Sequence, residues 1–116
     1  MAEADIIAAL AGIAPGDALH ALRARRPVTV AHSQASYRAL FEPAQPGDVS
    51  LAARFALGAY VAGLHGEAAA VAHYAAGLAP ALAATVAEAA AATHAEGPYG
   101  RFPAGPLTAE DREGPP

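Results

Sequence analysis

The sequence predicts an all-α, multi-helix domain, and three observations predict it. Apolar residues make up 54 % of the chain, and alanine, the strongest helix former, supplies much of that share. Its most continuous apolar run, Ser50 to Leu78, carries a start residue at Ser50, a stop at Gly66 and helix-length segments between them. The one strand-like triplet, Val28-Thr29-Val30, has no second strand nearby to pair with.

In chain order, Glu3 to Ala11 forms a short helix with Ile6, Ile7 and Leu10 on one stripe, acidic residues at its positive end and Gly12 as its stop. Ala14-Pro15-Gly16-Asp17 makes a turn, and Asp17 caps a second helix with Leu19 and Leu22 facing inward and His20 either beside them or at the boundary. Arg23, Arg25 and Arg26 sit near its negative end. Pro27 to Glu42 forms a third helix, since proline at a first helical position gives up an amide that has no helical partner. The pattern of Val30, Tyr37, Leu40 and Phe41 fits that helix.

The loop PAQPGD (43–48) delivers the chain to Ser50. The helix Leu51 to His65 is apolar or small on nearly every side, apart from Arg54 and the Tyr60 hydroxyl, which places it centrally in the bundle or at a subunit contact. Glu67 to Leu78 forms the next helix, with Pro80 at its end or at the start of the following one. Leu82 to Ala95 is an alanine-rich helix that packs through Leu82, Val86 and Ala89 or Ala90. After Glu96 the composition turns to proline and glycine. The expected domain is therefore 1–96, followed by an extended arm, 97–116, that lies on a surface through Tyr99, Phe102 and Leu107. Thr108 and Asp111 have the spacing of a capping pair, which would suit a longer parent chain.

Charged residues are only 16 % of the chain, too few to cover every helix, so some faces are expected to be buried against another subunit in a homo-oligomer. The net charge of −4, with arginine as the whole basic complement, leaves no electrostatic footprint for nucleic acid or an anionic membrane. The run Phe55 to Leu64 is half the roughly 20 residues a bilayer span needs, so no membrane is expected. Glu3 and Asp5 precede the short N-terminal apolar patch, which is unlike a signal peptide, and a cytoplasmic location is the default expectation. There is no cysteine, which removes disulfides, thiolate metal sites and thiol redox chemistry.

The break LHG (64–66), AHY (72–74), ALRARRP (21–27) and GPYG (97–100) together resemble the carboxymuconolactone decarboxylase and alkylhydroperoxidase-D-like superfamily, most of all the N-terminal half of a cysteine-less branch. The resemblance implies an alkylhydroperoxidase-D-like helical bundle that assembles as an oligomer. In the redox members of that superfamily a glutamate, a Cys-x-x-Cys pair and a histidine form the reactive segment. Laid on it without gaps, Arg54 takes the glutamate place, Gly66 and Ala69 the cysteine places, and His73 the histidine place. Only His73 is kept. Peroxidase or disulfide reductase activity by this chain alone then has no nucleophile.

Two functions follow from the resemblance. One is a catalytically degenerate structural or assembly partner of a redox-active relative. The other is a cysteine-independent decarboxylase-like enzyme on a small lactone or carboxylic acid, with His73 donating a proton and Arg54 holding the carboxylate in bidentate fashion. Each candidate has a plainer reading. His73 can be a buried histidine bonded to a backbone carbonyl or a tyrosine hydroxyl, and Arg54 a packing arginine paired with Glu42 or Asp48. His65 suits the negative end of its helix, the three-arginine cluster suits a solvated helix terminus better than a phosphate contact, and His20, His32 and His94 are expected at surface or boundary positions. No H-x-x-x-H or H-x-H pair anchors a metal on His65, Glu67 and His73, and no cofactor is expected.

Overall fold

The computed structural model describes residues 4–97 and 99–114. Six α-helices follow one another: α1 (Ile6–Leu10), α2 (Ala18–Ala24), α3 (Pro27–Phe41), α4 (Leu51–His65), α5 (Ala68–Ala75) and α6 (Pro80–Thr93). A short 3-10 turn, Pro106–Glu110, follows them. Among the described residues there is no strand beyond one isolated bridge.

The boundaries of α4 follow from its two ends. Ser50 Oγ accepts from the Ala53 amide at 3.1 Å, which satisfies one of the free donors of the first turn. At the other end Gly66 adopts φ 73°, the left-handed conformation that costs a side chain but not glycine. Its amide donates to Gly63 O at 3.1 Å, and the Glu67 amide donates to Ala62 O at 3.3 Å. These two bonds form a Schellman closure, so α4 stops and α5 leaves at once in a new direction. α6 begins earlier than expected, because Pro80 takes its first position. α5 ends at Ala75 rather than Leu78, and a turn through Gly77 carries the chain on.

α4 packs along both α5 and α6 and is the centre of this half of the molecule. The backbones come close because the contact is built from small residues: a Cβ placed on Gly63 would stand 2.8 Å from the Ala90 Cβ. Among the described residues the buried ones are Ala59, Ala62 and Ala90. α1 and α2 lean instead on α3. Asp5 caps α1 by accepting from Ala8 N at 3.1 Å, while the Ile6 amide donates to Gln34 Oε1 on α3 at 2.8 Å. Glu3, expected at the start of α1, lies outside the described residues.

Several expectations need correction. Asp17 stands at the N-cap of α2, but its carboxylate makes no capping bond; it accepts from the Ala14 amide at 2.8 Å and closes the preceding turn. Leu19 and Leu22 do not face inward, being 57 % and 55 % exposed although α2 packs on α3. The described part of the arm, residues 99–114, is folded back rather than extended. Gly100 and Arg112 exchange two backbone bonds at 2.8 and 3.2 Å, and Phe102 N donates to Asp111 Oδ1 at 2.7 Å, so the segment closes into a loop on itself. Asp111 is thereby engaged by Phe102, and Thr108 lies within the 3-10 turn, its hydroxyl donating to Gly105 O at 2.8 Å, so the two do not form an N-terminal capping pair. Among the described residues no helix is long and apolar enough to cross a membrane.

Candidate functional site

The aromatic residues of three helices meet where the two halves of the molecule join. α3 presents Tyr37 and Phe41, one turn apart on the same face. α4 contributes Phe55, and α5 contributes His73 and Tyr74. Phe41 lies at the middle, its ring centroid 5.2 Å from Tyr37, 5.2 Å from Phe55 and 4.8 Å from Tyr74, spacings at which aromatic quadrupoles attract. His73 stands edge-on to Tyr74 at 5.1 Å.

The Tyr37 hydroxyl and His73 Nε2 are 2.6 Å apart, a short hydrogen bond linking α3 to α5 across 36 residues of sequence. Which partner donates depends on the imidazole tautomer. Burial, with smaller contributions from Glu42 and Tyr74, raises the Tyr37 pKa, so the phenol keeps its proton at neutral pH. His73 is therefore a half-buried histidine held by a tyrosine. The sequence contained that partner type, but not its identity; the one-turn spacing of Tyr37 and Phe41 was the available signal.

Arg54 is engaged differently from either sequence expectation. Its Nε donates to Val49 O at 3.0 Å, its Nη1 to Leu40 O at 3.1 Å and its Nη2 to Pro46 O at 2.8 Å. Leu40 lies in the last turn of α3, where carbonyls lack helical partners and the helix end is negative. The guanidinium thus closes α3 at Leu40 and fixes the loop between α3 and α4 at two points, Pro46 and Val49. Glu42 faces Arg38 at 3.7 Å, in place of the pairing with Arg54 that its position suggested.

Beside Arg54 an apolar groove of about 520 Å³ runs along α4, walled by Leu40, Phe41, Leu57, Val61 and Tyr74. His65 and Glu67 stand at its far end. His73 is not among its walls, so the groove brings Arg54 to Tyr74 without bringing it to His73. A second cavity, about 400 Å³, lies between α1, α2 and α3, with Asp5, His20, Arg23 and Gln34 on its lining. Here Arg23 does more than meet the helix end. Its Nη2 donates to Asp5 Oδ2 at 2.6 Å, and this bond above all lowers the Asp5 pKa. The polar groups of this cavity mostly serve the fold: Asp5 caps α1, Arg23 neutralises it, and Gln34 holds the first amide of α1. Among the described residues no three histidine, aspartate or glutamate side chains gather around a common point.

Chemically, the junction offers one hydroxyl–imidazole pair able to pass a proton and one guanidinium already directed at backbone carbonyls. It holds no nucleophilic thiol. No protein-family model, no curated protein and no solved structure matches the chain.

Proposed function

We propose that this chain is a structural subunit, a cytoplasmic, cysteine-less scaffold of the carboxymuconolactone decarboxylase-like kind that acts by assembling with other chains. The observation that carries this reading is surface. The chain exposes 8503 Å², whereas a compact monomer of 11.5 kDa exposes about 5,800 Å². Its radius of gyration is 17.9 Å, against about 13 Å for a compact domain of this length. Three alanines are its only buried apolar residues among those described. A chain with 54 % apolar residues and so small an interior gains most of its burial from a neighbour. The reading also draws on the Gly66 break between α4 and α5, with His73 on α5, at the place where the resemblance was drawn.

Light scattering and small-angle X-ray scattering on the purified chain test the proposal. A mass of more than one chain with cooperative unfolding is the expected result. A folded 11.5 kDa monomer with a radius of gyration near 13 Å refutes it.

The Tyr37–His73 bond favours a second reading, a cysteine-independent proton donor acting on a small lactone or carboxylic acid. It gives His73 the orienting partner that acid–base work requires. Decarboxylation of a lactone acid that persists unchanged in His73→Ala would remove this role.

A further inference from the structure

We infer that the apolar groove on α4 is a homotypic interface, occupied by α4 of a second copy of this chain related by a two-fold axis; the inference rests on the assembly reading above and names its partner. The groove stripe is Arg54, Leu57, Gly58, Val61 and His65, spaced i, i+3, i+4, i+7 and i+11, which is one face of a helix. Leu57 is 61 % exposed, Val61 50 % and Leu40, which flanks them from α3, 53 %. Large apolar side chains at the middle of the most central helix thus face outward together.

Two features of this face select a second copy as its occupant. The first is area. The surface in excess of a compact monomer is about 2,700 Å², spread over the whole chain, which is more than the roughly 1,000–2,500 Å² each partner buries in permanent homodimers, so the area such a contact needs is present. The second is the order of chemistry along the stripe. A two-fold contact requires a patch that complements itself. Here the middle is apolar, the α4 N-terminal end carries the Arg54 cation, and the other end carries Glu67 beside His65. Arg54 and His65 lie about 16 Å apart along the axis of α4. Two copies of α4 laid antiparallel, with the axis between Leu57 and Val61, therefore set each Arg54 toward the Glu67 end of its neighbour and bury Leu57 against Val61 of the second copy. The bonds Arg54 makes to Val49, Leu40 and Pro46 leave its charge in place for this contact.

The test uses the absence of cysteine. Leu57→Cys copies mixed with Val61→Cys copies should oxidise to the mixed disulfide dimer at least tenfold faster than Leu19→Cys copies, whose exposed side chain lies on α2. Sedimentation equilibrium should give an even multiple of 11.5 kDa for the parent chain. It should also show at least tenfold weaker association for Leu57→Asp/Val61→Asp, with Leu19→Asp/Leu22→Asp unchanged. Far-UV circular dichroism at the same concentrations should show the helices retained, since the substituted side chains face solvent within a chain. Three outcomes separate the two proposals. A monomeric parent overturns both this interface and the assembly reading. An assembled parent with no mixed cross-link, or with association lost only through the α2 substitutions, overturns the α4 interface and leaves the assembly reading standing. An odd number of chains overturns the two-fold arrangement.

Discussion

Replacing Arg54 by lysine separates a strut from a substrate-holding group. In the structure Arg54 makes three hydrogen bonds, to the carbonyls of Leu40, Pro46 and Val49. A lysine ammonium keeps the charge but reaches only one of these divergent acceptors, so the substitution removes two bonds. Partly solvated bonds of this kind contribute a net of about 0.5–1 kcal/mol each, giving an expected loss of about 1–2 kcal/mol. With a urea slope of about 1–1.5 kcal/mol per molar for a small domain, the midpoint falls by about 1 M. Arg54→Ala, which removes all three bonds, falls further. The comparison is made at one chain concentration, because any association would contribute to apparent stability. A midpoint for Arg54→Lys within about 0.2 M of the parent would refute the strut, since a guanidinium free to hold a carboxylate leaves the fold indifferent to its replacement.

Other perturbations probe the remaining features. Gly63→Ala brings a methyl against Ala90 Cβ, and the strain, about 1–3 kcal/mol, outweighs or cancels the helix-propensity gain of about 1 kcal/mol. Adding Ala90→Gly should recover stability, and strict additivity in the double-mutant cycle would show that the helices do not meet there. Gly66→Ala should cost about 1–2 kcal/mol through its left-handed backbone alone, since no atom lies near its absent Cβ; chemical denaturation reads the loss directly. Tyr37→Phe leaves His73 Nε2 without its partner and should destabilise by about 1 kcal/mol, while ultraviolet titration of the parent should reveal a phenol ionising above pH 10 that the variant lacks. The Asp5–Arg23 bond should make stability acid-sensitive. The folded pKa of Asp5 lies below its unfolded value of about 3.9, so the contribution is complete above that pH and lost as pH falls through the folded pKa. Asp5→Asn should flatten that part of the stability–pH curve.

The helices were legible where local chemistry decides them. Ser50 and Gly66 bound α4 because a hydroxyl cap and a left-handed glycine act within a few residues, and Pro27 opens α3 for the same kind of reason. Ends set by packing were less legible, as at Ala75, where nothing in the side chains themselves stops α5. Burial was misjudged at Leu19 and Leu22 because periodicity says which residues share a face, not whether a neighbour covers it. The candidate site divides along the same line. His73 could be named from its place in the central stretch, but its partner lies on a helix 36 residues earlier, and no local pattern encodes that pairing. Arg54 looked chemical because it is a lone charge on an apolar helix. Its acceptors are backbone carbonyls, which every residue possesses and which sequence therefore cannot mark.

The interior of Ala59, Ala62 and Ala90 carries a calorimetric consequence. The heat capacity of unfolding grows with the apolar surface brought into water, and for an ordinary domain of this length it amounts to about 1.5 kcal/mol/K. An isolated copy of this chain hides too little hydrocarbon to reach that value. Under the proposed assembly, its free-energy curve against temperature is shallow when dilute and gains curvature, with a rising melting temperature, as copies supply one another's missing interior.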